Sequence, residues 1–290
     1  MTPDKSGQTR AVSEDGSQDA DGDLRPTTVQ GNAAVFYAFS DLLTCLVDEA
    51  KIKVRDDGLH CSVVDPANVG MVDLHFPPES FDTWDYGGDY TAGVNVKRLR
   101  KAVSFAHKGQ GADGGDPVTW TLSPEFRKTE VEVEKEDGVM TMQERWSTID
   151  PQSVREDPDL PDIDLRAKAT PSTKTLRDGV TYLKQTQDYV HVQLKPDSDD
   201  PTTLVMESEG DTSAGTLRFP SSVDPAADVD GARALYSLDY LKDMVAAIHL
   251  SRMSRVTLTW GPEFPVKLHF MQEDWGAEGT MMLAPRIQAD

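Results

Sequence analysis

The sequence predicts an α+β fold built from two similar domains in tandem. Three observations carry that expectation. Residues 118–126 read VTWTLSPEF and residues 256–264 read VTLTWGPEF, alternating runs that close on the same Pro-Glu-Phe. Each is followed by a second alternating run, KTEVEVEKED or PVKLHF, as two strands joined by a turn require. The repeat also extends upstream in the same order, which a chance match explains poorly.

The first repeated element is a helix running into a strand. FYAFSDLLTCLVDEAKIKV opens the first half and LRDGVTYLKQTQDYVHVQL the second. Next comes a helix of fixed apolar spacing. VNVKRLRKAV places Val96, Leu99 and Val103 on one face, and YSLDYLKDMV places Leu238, Leu241 and Val245 likewise. VMTMQERWS (139–147) and AGTLRFP (214–220) read as an edge strand of each half. Between the halves, the prolines at 151, 158, 161 and 171 disfavour a helix and the charges disfavour a core. That stretch reads as an extended connector. The organisation is therefore 1–23 a disordered acidic extension, 24–148 one domain, 149–170 the connector and 171–290 the second domain.

Charge bounds the setting. The chain carries 50 Asp and Glu against 29 Lys and Arg, a formal charge of -21. The acids are spread throughout, which implies an acidic surface rather than an acidic arm. A cytosol of molar salt suits such a surface, because repulsion is screened within roughly 3 Å at 1 M. No run is long and apolar enough to span a membrane, and the N-terminus lacks a basic-then-apolar leader pattern. Cys45 and Cys61 have neither a disulfide-framework nor a metal-site spacing and read as reduced thiols.

Against this background, four of the five residues 97–101 are basic: Lys97, Arg98, Arg100 and Lys101. The bland reading is a solvated helix face. The sharper one is a surface for a polyanion. With Val96, Leu99 and Val103 packed on a sheet, the cations point away from it.

The order of elements resembles the sliding clamp family, in its archaeal and eukaryotic proliferating cell nuclear antigen branch. LVDEAKIKV with GLHCSVVDPANVGMVDLHF, SLDYLKDM, EFPVKLHF, the C-terminal LAPRIQAD and the connector DPDLPDIDL carry the likeness over about residues 24–290. The acidity matches the haloarchaeal type. The resemblance implies two DNA-clamp domains per chain, with antiparallel sheets outside and helices lining a central hole. It implies a homotrimeric ring around duplex DNA, no catalytic activity, no cofactor and no metal. Polymerase, clamp loader, flap nuclease and ligase would bind through short peptide motifs.

The resemblance also assigns residues. Lys97, Arg98, Arg100, Lys101, Lys174, Arg177, Lys184 and Lys242 would face DNA through phosphate contacts that carry no sequence information. Val64, Asn68, Val69 and Met71, then Pro158, Leu160 and Pro161, then Pro265, Met282 and Pro285 would form the partner-peptide groove. Thr141, Met142 and Gln143 would pair with Thr216, Leu217 and Arg218 of a neighbouring chain. Two departures stand out. The first helix, about 33–47, has no Lys or Arg, and Asn68 sits where eukaryotic relatives often carry His.

Other classes compete weakly. His60, Asp65 and Asp73 lie close in sequence, but match no metal motif, and Asp65 begins a turn. There is no nucleophile elbow, and GADGGDP lacks the Lys-Ser/Thr of a phosphate loop. A metal-dependent hydrolase is thus remote. A clamp-like paralogue or viral processivity factor, monomeric or needing other subunits, is the nearer alternative.

Overall fold

The computed structural model describes residues 24–107, 114–135, 138–156, 165, 167–185, 187–195, 203–220 and 233–286. The expected extension 1–23 and the connector residues Pro158, Leu160 and Pro161 lie outside these.

The first half contains β1 (Thr27–Asn32), α1 (Ala33–Thr44), β2 (Glu49–Arg55), β3 (Gly58–Val64), β4 (Gly70–Phe76), β5 (Thr83–Asp85), β6 (Tyr90–Asn95), α2 (Val96–Ser104), β7 (Pro117–Ser123), β8 (Lys128–Glu134) and β9 (Thr141–Ser147). The second contains β10 (Ala167–Ala169), α3 (Thr173–Lys184), β11 (Tyr189–Lys195), β12 (Thr203–Glu209), β13 (Ala214–Phe219), β14 (Ala234–Ser237), α4 (Leu238–Leu250), β15 (Thr257–Trp260), β16 (Val266–Gln272) and β17 (Ala277–Leu283). The duplication read from the sequence is present in both halves.

Local chemistry explains where the helices begin. α1, α2 and α4 each start directly after a strand, at Asn32, Asn95 and Ser237. The Asn32 side chain accepts from the Ala34 N–H at 2.9 Å, and Asn95 accepts from the Arg98 N–H at 2.8 Å. Ser172 does the same for α3, through Thr175 N–H at 3.2 Å. Each such cap satisfies an N–H that the helix itself leaves unpaired.

Three antiparallel sheets carry the helices. Their orders are β5-β1-β7-β8-β9, β10-β15-β16-β17-β4-β3-β2-β6 and β13-β12-β11-β14. The middle sheet takes four strands from each half. Its seam is the ladder of β4 with β17, in which Leu74 opposes Gly279 and Met71 opposes Met282. The helices pack as a row, α2 on α1, α1 on α4, and α4 on α3. The core lies between that row and the sheets. Trp120 and Trp260, from the two VT-motif strands, are both fully buried in it.

The connector departs from a plain extended chain at its start. Pro151–Ser153 form a single 3-10 turn, capped by the Asp150 side chain on the Gln152 N–H at 3.0 Å. Proline is tolerated in a first turn, where its missing N–H has no partner to lose. Just before it, Ile149 N–H donates to the Gly93 carbonyl at 2.7 Å. A Cβ at Gly93 would stand 2.5 Å from the Ile149 carbonyl oxygen, so only glycine admits the chain this close.

Candidate functional site

The helix row is the cationic part of an acidic chain. Its four helices hold eight Lys and Arg against four Asp. In α2, Val96, Leu99, Ala102 and Val103 are buried, so Lys97, Arg98 and Lys101 are exposed and Arg100 is half-buried. The cations therefore point away from the buried stripe, as its spacing predicts.

Most of those cations are already neutralised. Lys97 Nζ lies 3.3 Å from Asp48, and Arg98 Nε 2.7 Å from Glu144 on β9. The Arg98 guanidinium also sits 5.0 Å from the centre of the Trp146 ring. Arg100 Nε reaches Asp41 of α1 at 2.5 Å while its Nη2 donates to the Tyr37 hydroxyl at 2.9 Å. In α3, Lys174 and Arg177 share Asp178, at 3.0 and 2.6 Å. Arg177 first and Lys174 second hold the Asp178 carboxyl below the usual range. Lys184 bridges Asp188 at 2.6 Å and Asp239 of α4 at 2.9 Å. Among the described residues, Lys101 and Lys242 have no ion-pair partner. The pairings of α2 were not legible in the sequence, because Asp48, Glu144 and Asp41 come from other parts of the chain, whereas Lys174–Asp178 and Lys184–Asp188 have the i,i+4 spacing of a helix pair. A phosphate meeting this face therefore displaces carboxylates, and each contact is weaker for it.

Burial explains the lysine-free first helix. Ten of the twelve α1 residues are buried, leaving Tyr37 and Thr44 as the half-buried remainder. Asp41 is among the buried ones. Burial pushes its carboxyl up, and Arg100 only partly offsets that.

The second surface is on the outer face of the middle sheet. Val64, Met71 and Met282 are opposed in register across β3, β4 and β17, so their side chains leave the same face. Val64 and Met71 are half-buried. Met282 is only 2% exposed and sits outside the main core cluster. The loop between β3 and β4 borders this row. Asp65 anchors it, accepting from the N–H groups of Ala67 (2.9 Å), Val69 (2.6 Å) and Gly70 (2.7 Å). The Tyr240 hydroxyl of α4 donates to the same carboxylate at 2.8 Å. Burial opposes ionisation of Asp65, but these donors outweigh it and hold the carboxyl below the usual range.

Asn68 is exposed at φ 57°, a left-handed conformation that Asn tolerates. Its side-chain oxygen accepts from Arg155 of the connector, and Arg155 Nη1 also donates to the Asp65 carbonyl at 2.7 Å. The Ala284 N–H donates to the Val69 carbonyl at 2.8 Å, which ties the C-terminal segment and Pro285 to the loop. Pro265 and Pro285 are half-buried. Sequence reasoning read Asp65 as the start of a turn but missed Arg155 and Tyr240 as supports of the loop. Asp65 had a visible signal in its DPAN turn, whereas Arg155 and Tyr240 lie 90 and 175 residues away.

The third pair of surfaces is two sheet edges. β9 ends the five-stranded sheet and β13 ends the four-stranded sheet, with no outer neighbour among the described residues. Thr141, Gln143, Thr216 and Arg218 are exposed, while Met142 and Leu217 turn inward and pack on the core. Unpaired ladder groups of this kind are open to strand addition.

Residues 29–113 match the family described as proliferating cell nuclear antigen, N-terminal domain. The chain is 36% identical over 259 residues to the DNA polymerase sliding clamp of Natronomonas pharaonis, covering 89% of this chain and 98% of that protein. It is 37% identical over 261 residues to that of Haloarcula marismortui, covering 89% and 98%. Among solved structures, A. fulgidus PCNA bound to the C-terminal region of FEN-1 superposes with a TM-score of 0.75 at 23% identity, over 91% of this chain and all of that one. PCNA from Entamoeba histolytica gives 0.77 at 15% identity, over 91% and 100%. These two structures speak for the fold.

Proposed function

Because the chain belongs to the DNA polymerase sliding clamp family, we propose that three copies close head to tail into a ring around duplex DNA. Residues 24–148 and 171–290 are the two clamp domains of each copy. The observation that carries this reading is the pair of free edges. β9 in the first half and β13 in the second are different surfaces, so joining one to the other is heterologous and closes only as a ring. Thr141, Met142 and Gln143 meet Thr216, Leu217 and Arg218 there. The helix row lines the hole, with Lys101 and Lys242 as its least encumbered cations.

Binding through phosphates weakens with salt by a log–log slope of about -0.9 per neutralised contact. Enclosure has no such dependence. In the molar-salt cytosol that the acidic surface suits, retention rests on closure. A clamp placed on a nicked circle stays in molar KCl and leaves when the circle is cut. Equal retention on cut and uncut DNA refutes enclosure.

Val64, Asn68, Val69, Met71, Pro158, Leu160, Pro161, Pro265, Met282 and Pro285 form the groove for partner peptides. The reading asks no catalytic step of the chain. Polymerase, clamp loader, ligase and flap nuclease dock there, a role supported for the nuclease by the relative solved with the C-terminal region of FEN-1. Leu160→Ala weakens such a peptide without changing assembly, and unchanged affinity removes Leu160 from the groove. A second reading, a mixed ring, is favoured by one finding: a Sulfolobus tokodaii structure of TM-score 0.73 is a PCNA2–PCNA3 complex.

A further inference from the structure

His60 in β3 and His75 in β4 are directly opposed in the antiparallel register. Both are half-buried on the outer face, because the core side of β3 is taken by Leu59, Cys61 and Val63. Their rings stack with centroids 4.4 Å apart and planes 12° from parallel. The tight turn between β2 and β3 adds Asp57. Its Oδ1 lies 2.8 Å from His60 Nε2, and its carbonyl oxygen lies 3.0 Å from His75 Nε2. One donor atom from each of the three residues falls within 4.8 Å of the others. Glu278 of β17 opposes His75 in register, with Oε1 4.0 Å from His75 Nδ1.

We infer that Asp57, His60 and His75 form a binding site for a divalent transition-metal cation, of the class of Zn²⁺ or Ni²⁺. Two imidazoles and one carboxylate suit such ions, whereas Ca²⁺ and Mg²⁺ take oxygen ligands. Metal–ligand bonds of about 2.0–2.2 Å put donors of one tetrahedron roughly 3.4 Å apart. The donors lie within 4.8 Å of one another, so binding asks the side chains to draw in by up to about 1.4 Å on backbones that adjacent strands and a tight turn hold together. Glu278 is a positioning residue. A carboxylate on the far nitrogen of a ligating histidine fixes its tautomer and raises its basicity. Lys53, opposite His60 on β2, bounds the row on its other side.

A plain surface ion pair between Asp57 and His60 explains less. It leaves unaccounted a second imidazole stacked on the first, with its Nε2 turned to the same turn and a carboxylate 4.0 Å from its Nδ1. The site shares a sheet face with the proposed peptide groove, but lies four residues along each strand from Val64 and Met71, about 13 Å away. Its fate is therefore separable from groove binding and from ring closure.

The test is calorimetric titration of the full chain, stripped with a chelator, with Ni²⁺ in molar KCl. The inference predicts one ion per chain at micromolar affinity. Binding falls at least about 100-fold in His60→Asn and in His75→Asn, and about 10-fold in Glu278→Gln. The metal-free variants melt as the metal-free parent does, and only the parent gains thermal stability from the ion. Absence of a stoichiometric site overturns the inference. So does unchanged binding in the His60→Asn/His75→Asn double variant, which would assign the ion to acidic surface elsewhere.

Discussion

α1 and α3 hold the same place in the two repeats and are both twelve residues long, yet they differ in kind. α1 buries ten residues and carries no Lys or Arg, while α3 buries four and carries Lys174, Arg177 and Lys184. Neighbours in the row account for part of the difference. α1 is packed between α2 and α4, whereas the main helix contact of α3 among the described residues is with α4. α4 is flanked by α1 and α3 as well, yet it buries only six of its thirteen residues and carries Lys242, Asp239 and Asp243, so the depth of packing sets the room for charge. Duplication keeps the frame, and how deeply each helix is buried goes with its composition.

The largest test of this contrast is packing. Phe39 of α1 is buried between Phe76, at 5.2 Å between ring centres, and Trp120, at 6.0 Å. Phe39→Ala is expected to cost about 3–5 kcal/mol in chemical denaturation. Tyr182 of α3 is 60% exposed, and Tyr182→Ala is expected to stay within about 0.5 kcal/mol. Similar losses at both sites would erase the distinction.

Next is charge. Asp178→Asn on α3 frees Lys174 and Arg177 together. It is expected to tighten binding to duplex DNA at low salt by about fivefold, the equivalent of roughly 1 kcal/mol. Fluorescence anisotropy reads this directly. An unchanged affinity would mean that α3 does not face the DNA. Lys101→Ala on α2 is expected to weaken binding and to flatten the salt slope by about 0.9.

The smallest effects are those of pH. Burial raises the carboxyl of Asp41 on α1, so its folded form holds a proton that the unfolded form has lost. Its contribution to stability is present at low pH and fades as pH rises from about 4 through the folded value. Asp65 has the opposite sign. Its hydrogen bonds stabilise the fold above about pH 4, and that gain is lost as pH falls through its lowered value. The melting-temperature deficit of Asp65→Asn should therefore grow as pH rises from acid toward neutrality, and that of Asp41→Asn should not. Parallel trends would contradict both assignments.

Much of this was legible in the sequence. Period-two runs ending in Pro-Glu-Phe gave away the duplicated hairpins, and Val96, Leu99 and Val103 gave the buried stripe of α2. The basic face followed from that stripe. Its neutralisation did not, because Asp48, Asp41 and Glu144 reach it from other parts of the chain. The Asp57–His60–His75 cluster was hidden for the same reason. The spacing from His60 to His75 matches no local motif, and only the β3–β4 register makes them neighbours. Local pattern reads elements well, whereas sites assembled across strands and helices need the register.

The central claim is a closed ring of three chains. Light scattering in molar KCl is expected to give the mass of three chains, shifting toward one as KCl is diluted and copies at -21 each repel. Arg218→Glu, on the β13 edge, is expected to lower the mass in the same way. A single-chain mass in molar KCl would contradict the account, and would leave the helix row as an open face rather than the lining of a hole.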